Sequence, residues 1–306
     1  MAFRKIFFTT GFMIFPATFA LFYWVRVSAI GNEIQRLIPG FIIFSALVAL
    51  VILEQVFRYK NAVSQKPVAL RDLLLTLVNV LFTGTLMRVI FVPFVLFFPE
   101  IFFGRSLFFS PAVQLGPFWL QFFLVILLYS FLRYGIHRIQ HTVPFLWELH
   151  SYHHTVTDLK ASNTFVSHPI DYSLRSILPA AILSVVGFDP AAILFGAGLL
   201  ITASTLAHCG AGLHAGWLNY IFVTPEIHRW HHSAIVPEGH KFSVNYGLGF
   251  ILWDRLFGTY YLPMKDGIPE QPEKIGHPGG YADEGNFLKI FFLTRCLPDF
   301  MRPSQQ

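Results

Sequence analysis

The segment HRIQHTVPFLWELHSYHH, residues 137–154, contains five histidines within eighteen residues. One residue, Ile136, separates it from the apolar run FLVILLYSFLRYG, residues 123–135. Ionisable side chains are costly inside a bilayer and usually mark functional sites there, whereas an ordinary loop has no need of such a density of imidazoles. The segment therefore predicts a functional site at the end of a membrane-spanning helix.

The composition of the whole chain agrees with a membrane location. Of its 306 residues, 54% are hydrophobic and only 13% are charged, whereas soluble domains are about one-quarter charged. Long apolar runs without barrel-like alternation predict helices, because a spanning backbone must satisfy its own hydrogen bonds. We predict an all-α, polytopic membrane bundle. Its predicted spans are 6–25, 37–53, 73–99, 117–132 and a hairpin within 174–207 that turns near residues 187–190.

The net charge of +5 has two interpretations, a nucleic-acid partner or a membrane topology signal. In membrane proteins, Lys and Arg accumulate in cytoplasmic loops. The basic residues cluster before the first predicted span and in the loop 58–72, while the loop after the third span holds only Glu100 and Arg105. This asymmetry predicts a cytoplasmic N-terminus, histidines that emerge on the cytoplasmic side, and no nucleic-acid partner.

Eight histidines form three spaced groups. These groups are His137 with His141, then His150 with His153 and His154, then His228 with His231 and His232. Residues at i, i+3 and i+4 of a helix lie on one face, so each group is expected to direct its imidazoles the same way. Eight such ligands exceed the needs of one metal ion and fit two ions with about four nitrogens each. Imidazole suits zinc, copper and iron, so the ligand type alone leaves the metal open.

The histidine groups and their flanks resemble a known family. The matching stretches are YGIHRIQHTVPFLWELHSYHHT (134–155), SHPIDY (167–172), LAHCG (206–210), FVTPEIHRWHHS (222–233), NYG (245–247) and WDRLFGTYYLP (253–263). In this order they resemble the fatty acid hydroxylase/sterol desaturase superfamily of membrane di-iron enzymes. The resemblance covers about 117–263, which leaves N-terminal membrane helices at 1–116 and a polar tail at 264–306.

The resemblance implies two iron ions held by His137, His141, His150, His153, His154, His228, His231 and His232, and the charge asymmetry puts this site on the cytoplasmic side. His208 and His168 are further candidate ligands, while Asn245 and Asp254 match family positions and are expected to orient ligand N–H groups. For Asp254, a helix-capping role is an equal alternative. His214 and His240 are expected to be structural or exposed.

The resemblance also implies a reaction and its partners. The expected activity is O2-dependent hydroxylation or desaturation of an unactivated C–H bond in a fatty acyl or sterol lipid. The motif HPGG (277–280) resembles a haem-binding signature but lacks a following domain, and GAGLHAG (210–216) lacks the dinucleotide-binding spacing. We therefore expect no haem or nicotinamide site and a separate electron-donor protein. A bacterial inner membrane and an ER membrane both fit.

Two other classes of function remain open from the sequence. A histidine-rich membrane metal-binding protein or zinc transporter would also need many imidazoles, although transport sites usually lie near the bilayer midplane. An inactive structural relative would be expected to have lost some of the eight histidines. The aromatic residues Phe145, Trp147 and Trp230 near the histidines are candidates for packing or for lining a lipid channel.

Overall fold

The computed structural model describes residue 54 and residues 70–86, 89–90, 115–210 and 214–278. The predicted spans 6–25 and 37–53, part of the span 73–99 and the tail from 279 onward lie outside the described residues. The α-helices are α1 (Leu70–Leu86), α2 (Phe118–Thr142), α3 (Pro144–His150), α4 (Pro169–Val186), α5 (Pro190–His208), α6 (Pro225–His231) and α7 (Leu252–Leu256).

Short elements connect these helices. The 3-10 helices are Ser151–Thr155, Ala161–Asn163 and Gly216–Tyr220. Strands β1 (Met264–Lys265) and β2 (Ile268–Pro269) form one small antiparallel sheet, with Met264 opposite Pro269. The described part is thus helical, and the all-α prediction is confirmed.

Helices α2, α4 and α5 are long and apolar enough to cross a membrane. The predicted span 117–132 is too short, because α2 continues to Thr142 and carries the first two histidines on its last turns. The predicted hairpin is confirmed: α4 ends at Val186, and Gly187 follows with a left-handed φ of 99°, a conformation that glycine adopts at little cost. The Asp189 side chain then accepts a hydrogen bond from the backbone N–H of Ala191 and caps α5.

The apolar core lies where α2 packs against α4 and α5. Phe122, Val125, Leu183 and Leu200 are each at most 2% exposed there. Gly196 permits the close approach of α5 to α2, since a Cβ at this position would lie 2.7 Å from Val125 Cγ1. This packing fixes the ends of α2 and α5 beside each other, and both ends carry histidines.

Polar contacts join α1 to the region around α4. The Asn79 side-chain amide donates to the carbonyl oxygens of Phe165 and Ser167, at 2.7 and 2.9 Å. One helical turn later, the hydroxyl groups of Thr83 and Ser173 lie 2.9 Å apart. Because buried polar groups need partners, these bonds fix the register of α1 against the segment that leads into α4.

Candidate metal centre

Nine buried histidines converge at one end of the bundle in two clusters. The five-histidine cluster comprises His137, His141, His150, His154 and His231. The four-histidine cluster comprises His153, His208, His228 and His232. Within each cluster, the candidate ligand atoms all lie within 4.8 Å of one another. All eight histidines of the three sequence groups and His208 are therefore brought together, whereas His168 lies in neither cluster.

The neighbouring histidines of a group belong to different clusters. His154 lies in the five-histidine cluster and His153 in the other, and His231 and His232 are divided in the same way. The i,i+4 pairs stay together, as His150 with His154 and His228 with His232. The expectation that each group directs its imidazoles one way is thus wrong for the i+3 members, His153 and His231. Each is followed directly by another histidine of its group, and successive residues point about 100° to 120° apart around a helix axis.

The two clusters lie side by side. The rings of His154 and His232, one from each cluster, stack with centroids 4.3 Å apart. The rings of His153 and His232 within the four-histidine cluster are 4.8 Å apart. Two ion sites at this proximity would be neighbours, which is the arrangement of a two-metal centre.

Backbone carbonyl groups orient three of the rings through Nδ1–H. His137 donates to the carbonyl oxygen of Tyr246 at 2.9 Å, and His231 donates to that of Val244 at 2.8 Å. In the four-histidine cluster, His153 donates to the carbonyl oxygen of Val166 at 2.9 Å. Each bond fixes a tautomer whose Nε2 lone pair points into the cluster, as metal-binding histidines require.

The carboxylate of Asp171 orients a fourth ring. Its Oδ1 accepts from His150 Nδ1 at 3.1 Å and from the Gln140 amide at 2.5 Å. Its Oδ2 pairs with Arg175 at 2.8 Å and accepts from Ser167. A carboxylate behind an imidazole raises the basicity of the ligand and holds its orientation. Asp171 lies within SHPIDY, but no histidine-like spacing marks it in the sequence.

Several ring nitrogens have no hydrogen-bond partner within the described part of the chain. They are His141 Nε2, His154 Nε2, His208 Nδ1, His228 Nδ1, His231 Nε2 and both nitrogens of His232. Unpaired buried nitrogens are costly unless another ligand satisfies them. In addition, His137 Nε2 lies 3.0 Å from His150 Nε2, and His208 Nε2 lies 2.9 Å from His228 Nε2. Two nitrogens about 2.1 Å from one ion and at right angles around it have this separation. The donor set fits metal binding.

Burial lowers the pKa of each clustered histidine outside the membrane-spanning helices, namely His150, His153, His154, His228, His231 and His232. For His231 the pKa falls to about 3. For His150, the Asp171 carboxylate opposes the effect of burial. These imidazoles are consequently neutral at physiological pH, which is the form that binds a metal.

The structure gives different roles to the other sequence candidates. His168 caps α4, where its ring accepts a hydrogen bond from the backbone N–H of Ile170. Asn245, in a left-handed conformation with φ 57°, bonds to the backbone of Ile227 and Tyr261. Asp254 accepts from the backbone N–H groups of Tyr246 and Gly247. Both side chains bond to backbone groups and to no clustered histidine, so the expectation that they orient ligand N–H groups directly is wrong. The helix-capping alternative for Asp254 is wrong as well, because α7 begins after Ile251 without a side-chain cap.

Asp254 nevertheless supports the five-histidine cluster indirectly. It holds the backbone of Tyr246, whose carbonyl oxygen accepts from His137 and whose ring packs against that of His141. Burial raises the pKa of Asp254 to about 6, against the hydrogen bonds that favour its charged form. Within the stretch NYG, no feature of the sequence marks the role of Tyr246, because a backbone carbonyl leaves no side-chain signature.

The remaining histidines and aromatic residues lie around the centre. The half-exposed His214 pairs with Glu226 at 2.8 Å, and His240 packs on the Tyr261 ring. Trp147 is 1% exposed against the His141 ring, whereas Phe145 is 60% exposed. A small cavity reaches the five-histidine cluster and is lined by His141, Trp147, His154, His231, Ser233, Val236, Pro237, Phe242, Ser243 and Pro278.

Comparisons with known proteins place this region in context. Residues 122–259 match the fatty acid hydroxylase family. The chain is 34% identical over 149 residues to the ornithine lipid hydroxylase OlsE of Rhizobium tropici, covering 49% of this chain and 44% of that protein. It is 25% identical over 142 residues to sphinganine C4-monooxygenase 2 of Arabidopsis thaliana, covering 46% and 54% respectively.

A third relative is the alkylglycerol monooxygenase of Caenorhabditis elegans, which is 26% identical over 172 residues, 56% of this chain and 32% of that protein. The chain thus spans about half or less of the length of these curated relatives. No solved structure matches the chain significantly.

Proposed function

We propose, from the premise that the region 122–259 of this chain belongs to the fatty acid hydroxylase family, that the chain is a di-iron lipid hydroxylase. The nine clustered histidines are the proposed ligands, with one iron ion in each cluster. The observation that carries this proposal is the pair of adjacent, buried clusters with unpaired ring nitrogens. Bound iron would supply the oxidising chemistry that activates O2 against an unactivated C–H bond.

The residues of the chain have three tasks in this proposal. The carbonyl groups of Tyr246, Val244 and Val166 and the Asp171 carboxylate hold the imidazoles in the tautomers that bind metal. Burial keeps the rings neutral and excludes water, which would otherwise divert reactive species. The cavity beside Trp147 offers an approach to the five-histidine cluster from outside the protein.

Lipid is the proposed substrate class, and hydroxylation is favoured over desaturation. Three of the relatives are named as hydroxylases or monooxygenases of ornithine lipid, sphinganine and alkylglycerol. The apolar helices α2, α4 and α5 would hold the centre at the surface of a membrane where such lipids reside. We propose that electrons arrive from a separate protein and that the centre faces the cytoplasm, in agreement with the basic residues of loop 58–72.

The function is tested by measuring metal and product together. Purified protein is expected to contain about two iron ions per chain by elemental mass spectrometry. Cells that produce it are expected to accumulate a lipid heavier by one oxygen atom, and isotope-labelled O2 should label that atom. The matched control is His214→Ala, which removes a histidine outside both clusters. Protein that is active with one ion, or that contains zinc and no iron, contradicts the proposal.

The membrane side is tested separately by cysteine labelling. Phe145→Cys follows the first histidine group and Glu238→Cys follows the last, and both positions are exposed. In a background without Cys209 and Cys296, both should react with an impermeant reagent only from the cytoplasmic side. Reaction from opposite sides would contradict a shared centre, whereas reaction of both from the outer side would overturn only the proposed orientation.

A further inference from the structure

A second cavity lies between α2, α4 and α5, and two arginine side chains line it, which is unusual within a membrane helix bundle. Arg133 and Arg175 line it together with Tyr129 and Tyr172. Ionisable residues in membrane-spanning segments are costly, so they usually have a functional ligand or a partner of opposite charge. Each of the two guanidinium groups therefore needs a counter-charge or an anionic ligand.

Among the described residues, Asp171 supplies the carboxylate that pairs with one of them. Arg175 pairs with Asp171 at 2.8 Å, and the other contacts of that carboxylate are with His150, Gln140 and Ser167. Arg133 forms no hydrogen bond or ion pair with any described residue. The buried Nε of Arg175 also has no hydrogen-bond partner among the described residues. Counted over the described residues, the cavity therefore has an excess positive charge and unused guanidinium donors.

The tyrosines contribute little compensating charge. The Tyr129 hydroxyl donates to the carbonyl oxygen of Ser176 at 2.9 Å, and an ordinary phenol, with a pKa of about 10, is neutral at physiological pH. Ile201 and Leu248 complete the wall on the side of α5. A planar guanidinium in such a partly apolar site binds carboxylate or phosphate oxygens strongly, because water competes weakly for them there.

The cavity has a defined position relative to the metal centre. Arg133 precedes His137 by four residues on α2, and Ser204 precedes His208 by four residues on α5. Four residues of an α-helix, slightly more than one turn, rise by about 6 Å. The parts of α2 and α5 that lie on the side of the cavity away from the histidines are apolar. The arginines therefore lie at the level where the apolar part of the bundle ends. A lipid polar group at this level would keep its chain in contact with the membrane.

We propose, on the basis of the lipid hydroxylation proposed above, that this cavity binds an anionic oxygen group of the lipid substrate, a phosphate or a carboxylate. Arg133 supplies the principal charge-assisted hydrogen bonds, and Arg175 supplies a second positive charge that Asp171 holds in place. Arg133 is thus a specificity-determining residue that selects anionic lipids, while the clustered histidines carry the chemistry one helical turn away.

Binding is measured in dodecyl maltoside micelles, which contain no anion, with three probes of equal chain length. These are hexadecyl phosphate, palmitate and the neutral hexadecanol. The wild-type protein is expected to bind at least one anionic probe about tenfold or more tighter than hexadecanol, as for a buried charge pair. Arg133→Gln should abolish that difference without changing the metal content.

Three further variants keep the test decisive. Arg133→Lys retains the charge and should retain part of the preference. Ser204→Asp places a carboxylate in the cavity wall and should abolish anion binding even if Arg133→Gln fails to fold. The matched control is Arg255→Gln, which removes an arginine that stacks on Tyr220 and Tyr260 outside the cavity, and it should retain the full preference.

Competition with inorganic phosphate distinguishes a site for the anionic group of a lipid from a site for free phosphate. We expect millimolar phosphate to displace hexadecyl phosphate poorly, and phosphate that binds as tightly as hexadecyl phosphate would overturn the lipid assignment. Equal binding of all three probes, or an unchanged preference in Arg133→Gln and Ser204→Asp, would overturn the cavity proposal. Wild-type protein that shows the preference but yields no oxygenated lipid would instead contradict the proposed function.

Discussion

The two histidine clusters differ in ligand number and in support. The five-histidine cluster has three rings oriented through Nδ1, by Tyr246, Val244 and Asp171. It also borders the cavity beside Trp147. In the four-histidine cluster, a backbone carbonyl group orients only one ring among the described residues, that of His153. The Nε2 atoms of His208 and His228 lie 2.9 Å apart in the same cluster.

This difference indicates that the two clusters tolerate the loss of a histidine unequally. A cluster with five nitrogens retains four after the loss of one ring, whereas a cluster with four nitrogens retains three. The better supported cluster also keeps its remaining rings oriented. We therefore expect the two proposed iron sites to respond differently to equivalent substitutions, and the following predictions proceed from the largest effect to the smallest.

The largest effect is expected from His153→Ala. It removes one of four ligands from the four-histidine cluster and should lower the iron content from about two ions per chain to about one, with product formation reduced 100-fold or more. The matched variant, His154→Ala, changes the neighbouring residue of the five-histidine cluster and should keep most of the iron. Elemental mass spectrometry of both proteins makes the comparison. Equal loss of iron would contradict the unequal clusters.

Asp171→Asn should have the next largest effect. The amide cannot accept from His150 and pair with Arg175 as the carboxylate does, so the ring loses its orientation and Arg175 loses its counter-charge. Loss of such a supporting partner typically lowers metal affinity or activity 10- to 100-fold. Chelator competition measures the affinity. Asp158→Asn, which removes the carboxylate of a partly buried pair with Lys160 outside both clusters, is the control and should bind iron normally.

Gly196→Ala should destabilise the helix pair that supports both clusters. Its Cβ would lie 2.7 Å from Val125 Cγ1, and such overpacking costs about 1–3 kcal/mol in the free energy of unfolding. The change should lower the thermal midpoint of the purified protein. Adding Val125→Ala should recover part of the loss by making room. If the double variant is no more stable than Gly196→Ala, the close contact between α2 and α5 is not the cause.

The smallest effect is expected from His168→Ala. This substitution removes the cap of α4, which typically costs about 1 kcal/mol, but it removes no member of either cluster. Iron content should stay at the wild-type value while the thermal midpoint falls slightly. His168→Asn, which can cap the helix, should restore the midpoint. A fall in iron content for both variants would identify His168 as a ligand.

The sequence predicted the features that depend on pattern and spacing. Apolar runs predicted α2 and the α4–α5 hairpin, and Gly187 with Pro190 located its turn. The eight spaced histidines predicted one shared site. His208 was a weaker candidate, because a single histidine at the end of an apolar helix has no spacing to distinguish it.

The sequence could not predict how the site is divided and supported. Whether His153 and His154 serve the same ion depends on the local helix type and on the orientation of each ring. The supporting groups are mostly backbone carbonyls, such as those of Tyr246 and Val244, which every residue possesses. Asp171 is a single acidic residue, so its role follows from tertiary contacts alone.

The division of His153–His154 and His231–His232 between the clusters has a mechanical consequence. Each pair is joined by one peptide bond, which holds successive Cα atoms about 3.8 Å apart. Two such links, on separate parts of the chain, tie the clusters together covalently. The two clusters are therefore expected to move together with these two segments, because a separation of the clusters would require the rings of both pairs to change rotamer.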